Sequence, residues 1–533
     1  MFSTALLIGI YSYLVLAIGL LGLINKTNFF LLSFGFFLFF VYIKRESLRS
    51  NVLGIKKELS LINKDKFASF LLFLILLQSC INLIGVFGPE LSFDALWYHL
   101  AIPKIYMMEK IITYVPGGLL YYSAMPKLTE MLYLASISLS GEILAKLVHF
   151  GFGILTSIAL YQLSRRYLSV SFSVLSVLLY YGNLVVAWQS TTAYVDLART
   201  FFELMAFSIF LIWIKKGDFK LLFYSGILIG LAISVKLLAI LSVGIFFILI
   251  FLKNKKMAKS LKDFTYFLIP SVIVPLPWFV FSFVNTNSPI HPVFTKYYDT
   301  SFNLSILNPL NFFHSLFEIF LKSSDPISPI YLVLLPIILY LFLAGKLAKY
   351  KIIVIYSILG FMIWYFTPRT GGGRFILPYL PIFSLLCLLV VNELKEVRLR
   401  LFVIFIIIFV SSVSIPYRFL ANEKFITYLE GHQSKKEFLT KNLNFGHGDF
   451  YDIDGYFERN IRKEDRVLLY GFHNLYYVDF PFIHESWVKK GDMFTHIATQ
   501  NSELPERFSF WPIVYYNPET GVKVYTLQEE WVY

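Results

Sequence analysis

The sequence predicts an all-α polytopic membrane protein with about 13 transmembrane helices and a small extracytoplasmic α/β domain at its C-terminal end. Of its 533 residues 57% are hydrophobic and 15% are charged, whereas soluble domains carry about 25% charged residues. Apolar runs long enough to cross a bilayer recur through residues 1–416, the predicted transmembrane domain. Charged residues return in residues 417–533, where short alternating segments are typical of strands.

Apolar runs that end at lysine or arginine clusters give the positions of the predicted spans. They lie at 4–24, 28–43, 67–87, 143–162, 168–188, 194–214, 221–235, 237–252, 264–284, 329–345, 351–367, 375–392 and 400–416. The runs 221–235 and 237–252 are short, and a bent pair or a re-entrant hairpin is also possible there.

Basic clusters predict the orientation of these spans. They fall in alternate connections, for example at Arg165 and Arg166, and this side is predicted to be cytoplasmic by the positive-inside rule. The opposite side then carries a long loop at 88–142 and the C-terminal domain. The formal net charge of +13 fits this topology, and no nucleic-acid partner is expected. Two cysteines in separate apolar runs imply no disulfide framework.

The 88–142 loop concentrates polar side chains that could carry chemistry. A short helix from Phe93 would hold Asp94 in its first turn and Tyr98 on the same face. A second helix, at about 126–139, would carry Glu130. The bland alternatives are that Asp94 only interacts with the helix dipole and that His99 only packs at the interface.

Five segments together resemble a known family of membrane enzymes. They are SFDALWYHLAIPK with Asp94, TTAYVDLARTFFELMA with Asp196, GILIGLAISVKLLAIL with Lys236, VNTNSPIHPVF, and GGGRFILPYLPIFSLL with Arg374. In order and spacing they resemble the protein mannosyltransferase-like, or family 39, glycosyltransferases with the C superfamily fold. Many members carry Asp-Glu in the first loop, whereas Ala95 follows Asp94 here.

The resemblance implies transfer of one sugar, with inversion, from a polyprenyl-phosphate carrier to an acceptor hydroxyl of a glycan, lipid or protein. It implies an inner (cytoplasmic) membrane location with an outward-facing site, and no metal or other cofactor. Asp94 is then the candidate general base. The candidate cations for the donor phosphate are Lys236, Arg374, Lys104 and Arg369. The candidate substrate contacts are His99, Tyr98, Glu130 and Asp196.

Other readings of these residues remain open at this stage. Lys236 could snorkel at a helix end, Arg374 could be solvated, and Asp196 could only cap a helix. The principal alternative function is a transporter or flippase of a lipid-linked glycan, although no inverted repeat is evident. A ligase that transfers whole oligosaccharides and a structural membrane protein are further alternatives.

Overall fold

The predicted apolar runs form helices in the computed structural model, which describes residues 1–254, 256–295, 297, 304–322, 326–367 and 372–533. The first half contains eleven helices among these residues. They are α1 Phe2–Leu20, α2 Lys26–Lys64, α3 Lys66–Phe87, α4 Ala101–Glu109, α5 Leu128–Ser140, α6 Glu142–Ser164, α7 Val170–Tyr181, α8 Leu184–Gln189, α9 Asp196–Lys216, α10 Phe219–Val235 and α11 Ile240–Lys253.

The second half of the membrane region continues with eight helices in the described ranges. They are α12 Met257–Ile273, α13 Leu276–Thr286, α14 Pro309–Phe317, α15 Ile330–Val333, α16 Leu335–Leu343, α17 Lys351–Phe366, α18 Leu380–Glu393 and α19 Val397–Asn422. The last span was predicted to end at 416, but α19 continues through Pro416 to Asn422.

The helix inventory confirms the predicted fold class. Seven helices of the described chain are long and apolar enough to cross a membrane, and α12 with α13 forms a bent pair at 54°. The described chain also contains five shorter apolar helices. Each of the 13 predicted apolar runs corresponds to a long helix, to the bent pair or to one of these shorter helices. The ambiguous pair at 221–252 is α10 and α11, which are separated where Lys236 adopts an extended backbone.

Helix α9 lies at the centre of the bundle. In its apolar window 89% of the residues are buried, so it contacts protein on all sides rather than lipid on one. It packs against α6 and α10. Asp196 is its first residue, so this carboxylate lies at the end of a helix that is enclosed by protein.

The C-terminal region contains a small sheet domain, as predicted. Its helices are α20 Ile426–Leu429, α21 Lys435–Asn442 and α22 Tyr456–Asn460, and its strands are β1 Val467–Tyr470, β2 Phe482–His484, β3 Met493–Gln500, β4 Ile513–Asn517 and β5 Val522–Val532. The strand order is β2-β1-β3-β5-β4. Strand β1 is parallel to β2 and β3, whereas β5 is antiparallel to β3 and β4.

The sheet domain docks onto the 88–142 loop through one segment of its chain. The Tyr476 amide donates to the Leu96 carbonyl at 3.2 Å, and the Tyr477 hydroxyl donates to the Glu90 carbonyl at 2.9 Å. Lys435 of α21 forms an ion pair with Glu142 of α6 at 2.6 Å. These contacts require the loop and the domain to lie on the same side of the membrane.

Candidate active site

Asp94 lies where the first loop helix begins. The helix starts at Phe93, as predicted, and continues as a π-helical turn at Ala95–His99. Oδ2 of Asp94 accepts a hydrogen bond from the Tyr98 hydroxyl at 2.9 Å, which confirms that the two side chains share a face. Nη2 of Arg374 lies 2.6 Å from the same oxygen. Asp94 is therefore held between a phenol and a guanidinium.

Asp196 forms a second acid–cation pair close to the first. Its Oδ1 accepts from Nζ of Lys236 at 2.7 Å. The side chain of Asp196 is almost completely buried, and its Oδ2 has no hydrogen-bond partner in the described part of the chain. The extended break between α10 and α11 turns Lys236 toward the start of α9, so a gap between helices creates this contact.

Arg374 lies in the field of both carboxylates. Burial acts to lower the pKa of its guanidinium, but Asp196 and Asp94 outweigh burial and raise this pKa well above its ordinary value. The group therefore remains cationic. Burial, and then the charge of Asp94, raise the pKa of Tyr98, so this phenol stays protonated and donates to the carboxylate.

A cavity of about 920 Å³ lies beside these charges, within the size range of ligand pockets. Its polar end is formed by Lys236, Arg374, Tyr98, Tyr121 and Tyr122. Its apolar walls come from α11 and α17 and include Leu241, Ile245, Ile248, Leu359, Met362 and Phe366. The cavity therefore combines cations at one end with a hydrocarbon-like groove between two helices.

Stacked aromatic rings support the polar end of the cavity. The Tyr98 ring lies on the Tyr122 ring with centroids 3.9 Å apart, and Tyr122 lies on Tyr121 at 4.2 Å. The Trp97 indole donates to the Leu119 carbonyl at 3.0 Å. These contacts fix the rotamer of Tyr98 and, through its hydroxyl, the orientation of Asp94.

His99 and Glu130 are close to the site but are absent from the described lining of the cavity. Nδ1 of His99 lies 2.7 Å from Oε1 of Glu130, and both side chains are buried. The His99 ring lies 4.2 Å from the Tyr98 ring. The pair therefore packs behind Tyr98, and its role in substrate binding stays a prediction.

Of the four predicted phosphate cations, Lys104 lies away from this cluster. Lys104 donates to the Tyr476 carbonyl and is paired with Asp479, so it joins the loop to the sheet domain. Burial lowers its pKa, although Asp479 acts in the opposite direction. Arg369 lies outside the described residues. Phosphate binding by either residue stays a prediction.

Two buried polar features had no predicted role. One is Lys127 in the loop, and the other is the Arg199–Glu203 ion pair inside the bundle. Lys127 donates to the carbonyls of Ser123 and Met125, and burial lowers its pKa to about 7. Arg199 and Glu203 pair on α9 at 2.6 Å, and Ser242 of α11 donates to the same carboxylate at 2.6 Å. The spacing of four residues between opposite charges in an apolar run was an available signal.

The described side chains can be compared with the groupings that hold a metal ion. In these ranges no group of three or more His, Cys, Asp or Glu residues is arranged to hold a metal ion. The expectation of a metal-independent site stays a prediction.

Comparisons with known proteins agree with the sequence motifs. Residues 131–280, which contain Asp196 and Lys236, match the family model of dolichyl-phosphate-mannose-protein mannosyltransferases. The structure is similar to that of ArnT from Cupriavidus metallidurans bound to undecaprenyl phosphate, with a TM-score of 0.60 and 12% identity over 86% of this chain and 98% of that one. The predicted resemblance is confirmed.

The similarity extends to a second structure of the same relative. ArnT from Cupriavidus metallidurans in the apo state matches with a TM-score of 0.57 and 11% identity over 86% of this chain and 97% of that one. At such low identity these matches show only that the chain shares the fold of these structures. A comparison with curated protein sequences gives no match. The chain is a multi-span membrane protein with the same fold as these structures, and its own chemistry must be argued from its site.

Proposed function

We propose that the protein transfers one sugar, with inversion, from a polyprenyl-phosphate carrier to an acceptor hydroxyl at the outer face of the cytoplasmic membrane. One observation carries this proposal. Arg374 and Lys236 line the polar end of a cavity whose walls are largely apolar, and Arg374 contacts Asp94 at 2.6 Å. The matching family model is named for dolichyl-phosphate-mannose, and the similar ArnT structure is bound to undecaprenyl phosphate, so both support a polyprenyl-phosphate carrier.

The two parts of the cavity match the two parts of such a donor. Arg374 and Lys236 would bind the phosphate through charge-assisted hydrogen bonds, and the groove between α11 and α17 would hold the isoprenoid chain. In the free protein Arg374 contacts Asp94. A bound phosphate would compete for the guanidinium, so that arrival of the donor makes the Asp94 carboxylate available as a base.

The transfer step then follows from the positions of the charges. The acceptor oxygen attacks the anomeric carbon and its proton passes to Asp94, while the bond from that carbon to the phosphate oxygen breaks. Both contacts of Asp94 fall on Oδ2, so we assign Oδ1 to the acceptor hydroxyl. Arg374 and Lys236 stabilise the charge on the departing lipid phosphate. A single displacement of this kind inverts the anomeric centre.

Asp196 and the His99–Glu130 pair are assigned to the sugar side of the site. The buried Oδ2 of Asp196 has no hydrogen-bond partner among the residues that the structure describes, and a donor sugar hydroxyl would satisfy it. His99 and Glu130 act on substrate through the Tyr98 ring that they support. Glycan, lipid and protein acceptors are all compatible with this mechanism.

The experiment is a transfer assay with purified protein in lipid nanodiscs. The donors are undecaprenyl-phosphate monosaccharides, the acceptor source is an extract of the host envelope, and products are identified by mass. We expect addition of one sugar by the wild type and none by Asp94→Asn, which inserts and melts normally. The control is Glu109→Gln, which changes an exposed carboxylate of the same loop. Near-normal transfer by Asp94→Asn removes Asp94 from the base role, and donor translocation without product favours the flippase.

A further inference from the structure

Glu90 is a buried carboxylate that joins the two acid-bearing segments of the site. It lies four residues before Asp94 in the sequence, and only 1% of the residue's surface is exposed. Its Oε1 accepts from the amides of Leu91 at 2.9 Å and Ser92 at 2.8 Å. Its Oε2 accepts from the amide of Ala193 at 2.7 Å, in the turn that leads into Asp196. One side chain therefore spans both segments.

Two side chains of helix α6 also hold these two segments. Nζ of Lys146 donates to the carbonyls of Gly85 at 2.7 Å and Gly88 at 2.8 Å, which fixes the chain that enters the loop. One turn further along, Nε2 of His149 accepts from the Leu197 amide at 3.1 Å. Its Nδ1 must then carry the proton, and it donates to the Thr192 carbonyl at 2.8 Å.

The Glu90 carboxylate joins the two segments directly, and the Asp94 amide adds a longer hydrogen bond to the Tyr194 hydroxyl at 3.3 Å. Lys146 holds the first segment and His149 holds the second, but neither contacts both. A buried carboxylate is retained in a protein only when its oxygens are satisfied, and here three amides satisfy them. We assign Glu90 no substrate contact, because each of its described side-chain hydrogen bonds is accepted from a backbone amide and it is absent from the described lining of the cavity.

We propose that Glu90 is a positioning residue that fixes the base Asp94 relative to Asp196 and the donor bound beside it. The inference rests on the proposed function, since it needs a reaction in which Asp94 takes the acceptor proton. Arg374 and Lys236 come from segments that Glu90 does not contact. Each cation nevertheless pairs with one of the two carboxylates that Glu90 positions. Loss of the Glu90–Ala193 contact is therefore expected to move the base more than the donor cations.

Two substitutions test whether Glu90 acts as a clamp, by which we mean its contact with Ala193 of the other segment, or only stabilises its own turn through Leu91 and Ser92. Glu90→Gln keeps the shape but presents an amide NH₂ to one of its amide donors. Glu90→Asp keeps the charge and can still accept from the nearby amides of Leu91 and Ser92 as Asx turns do, but it is one methylene too short to reach Ala193. A clamp predicts that both variants are impaired, whereas a local turn predicts that Glu90→Asp is active.

The measurements are steady-state kinetics and amide hydrogen exchange on the full-length protein in nanodiscs. For both variants we expect kcat to fall about 100-fold, the scale of effect for a base misplaced by about 1 Å, with donor KM within twofold. We expect faster exchange in the peptide 189–197 and unchanged exchange in 435–443. The control is Glu142→Gln, which removes the partly buried carboxylate at the start of α6, and it should keep kcat within threefold.

The outcomes distinguish the clamp from the proposed function. A wild type that transfers no sugar overturns the proposed function and the role of Glu90 in it, whereas the exchange experiment still reads the Glu90–Ala193 contact. An active wild type with Glu90 variants that keep kcat overturns the positioning role alone. Parallel changes of kcat, donor KM and melting temperature also overturn it, because they indicate general destabilisation.

Discussion

At the scale of single residues the site depends on a contact between distant parts of the sequence. Asp94 belongs to the first loop and Arg374 to the turn before α18, yet they form an ion pair at 2.6 Å. The motifs identified both side chains as candidates. Their contact could not be predicted, because a single sequence carries no information on which loops meet in space.

Arg374→Ala is expected to raise the donor KM by about 10- to 100-fold, because a hydrogen bond to a charged group contributes about 1.5–3 kcal/mol. The acceptor KM should change little, since the acceptor contacts Asp94. The measurement is initial rates with each substrate varied in turn. An effect confined to the acceptor KM would argue against phosphate binding.

Lys104→Gln serves as the comparison for this experiment. Lys104 was also a candidate for the phosphate, but its contacts with Tyr476 and Asp479 predict an unchanged donor KM and a lower melting temperature. A donor KM that rises as strongly as in Arg374→Ala would return Lys104 to the phosphate site.

At the scale of elements the sequence predicted most of the membrane architecture. Helix positions follow from apolar runs and basic boundaries, and the break at Lys236 was visible as a pair of short runs. The roles of Glu90 and His149 were not predictable in this way. Their partners are backbone amides and carbonyls of other segments, and backbone groups carry no sequence signal.

Gly244→Leu tests the groove between α11 and α17. Gly244 lines the cavity, and a Cβ atom added there has no neighbour within 4 Å, so the larger side chain projects into open space. We expect a donor KM about tenfold higher, equivalent to about 1.4 kcal/mol, with normal melting. Gly151→Leu is the matched control, because Gly151 on α6 also has open space and does not line this cavity. Equal KM values for both variants would place the isoprenoid elsewhere.

At the scale of the whole molecule the sheet domain and the first loop form one assembly. Lys104, Glu142 and the Glu90 carbonyl all contact residues of the C-terminal region. The sequence predicted a small α/β domain from the short alternating segments of residues 417–533, and the structure contains five strands there. The sequence did not indicate where the sheet domain docks. The docking surface consists of single polar contacts that are spread over the 88–142 loop.

Cysteine labelling tests the outward orientation proposed for this assembly. In a background with Cys80→Ser and Cys387→Ser, Met108→Cys in the loop and Lys463→Cys in the sheet domain occupy exposed positions, as does Lys256→Cys between α11 and α12. We expect a membrane-impermeant maleimide to label positions 108 and 463 in intact cells and position 256 only after permeabilisation. Labelling of position 256 in intact cells would reverse the topology.

A structure of the full-length protein in nanodiscs with undecaprenyl phosphate tests the central claim most directly. We expect the phosphate within hydrogen-bond distance of Arg374 and Lys236, the isoprenoid between α11 and α17, and the Asp94–Arg374 contact lengthened or lost. A phosphate bound away from both cations, or an isoprenoid outside this groove, would contradict the assignment of this cavity to the donor.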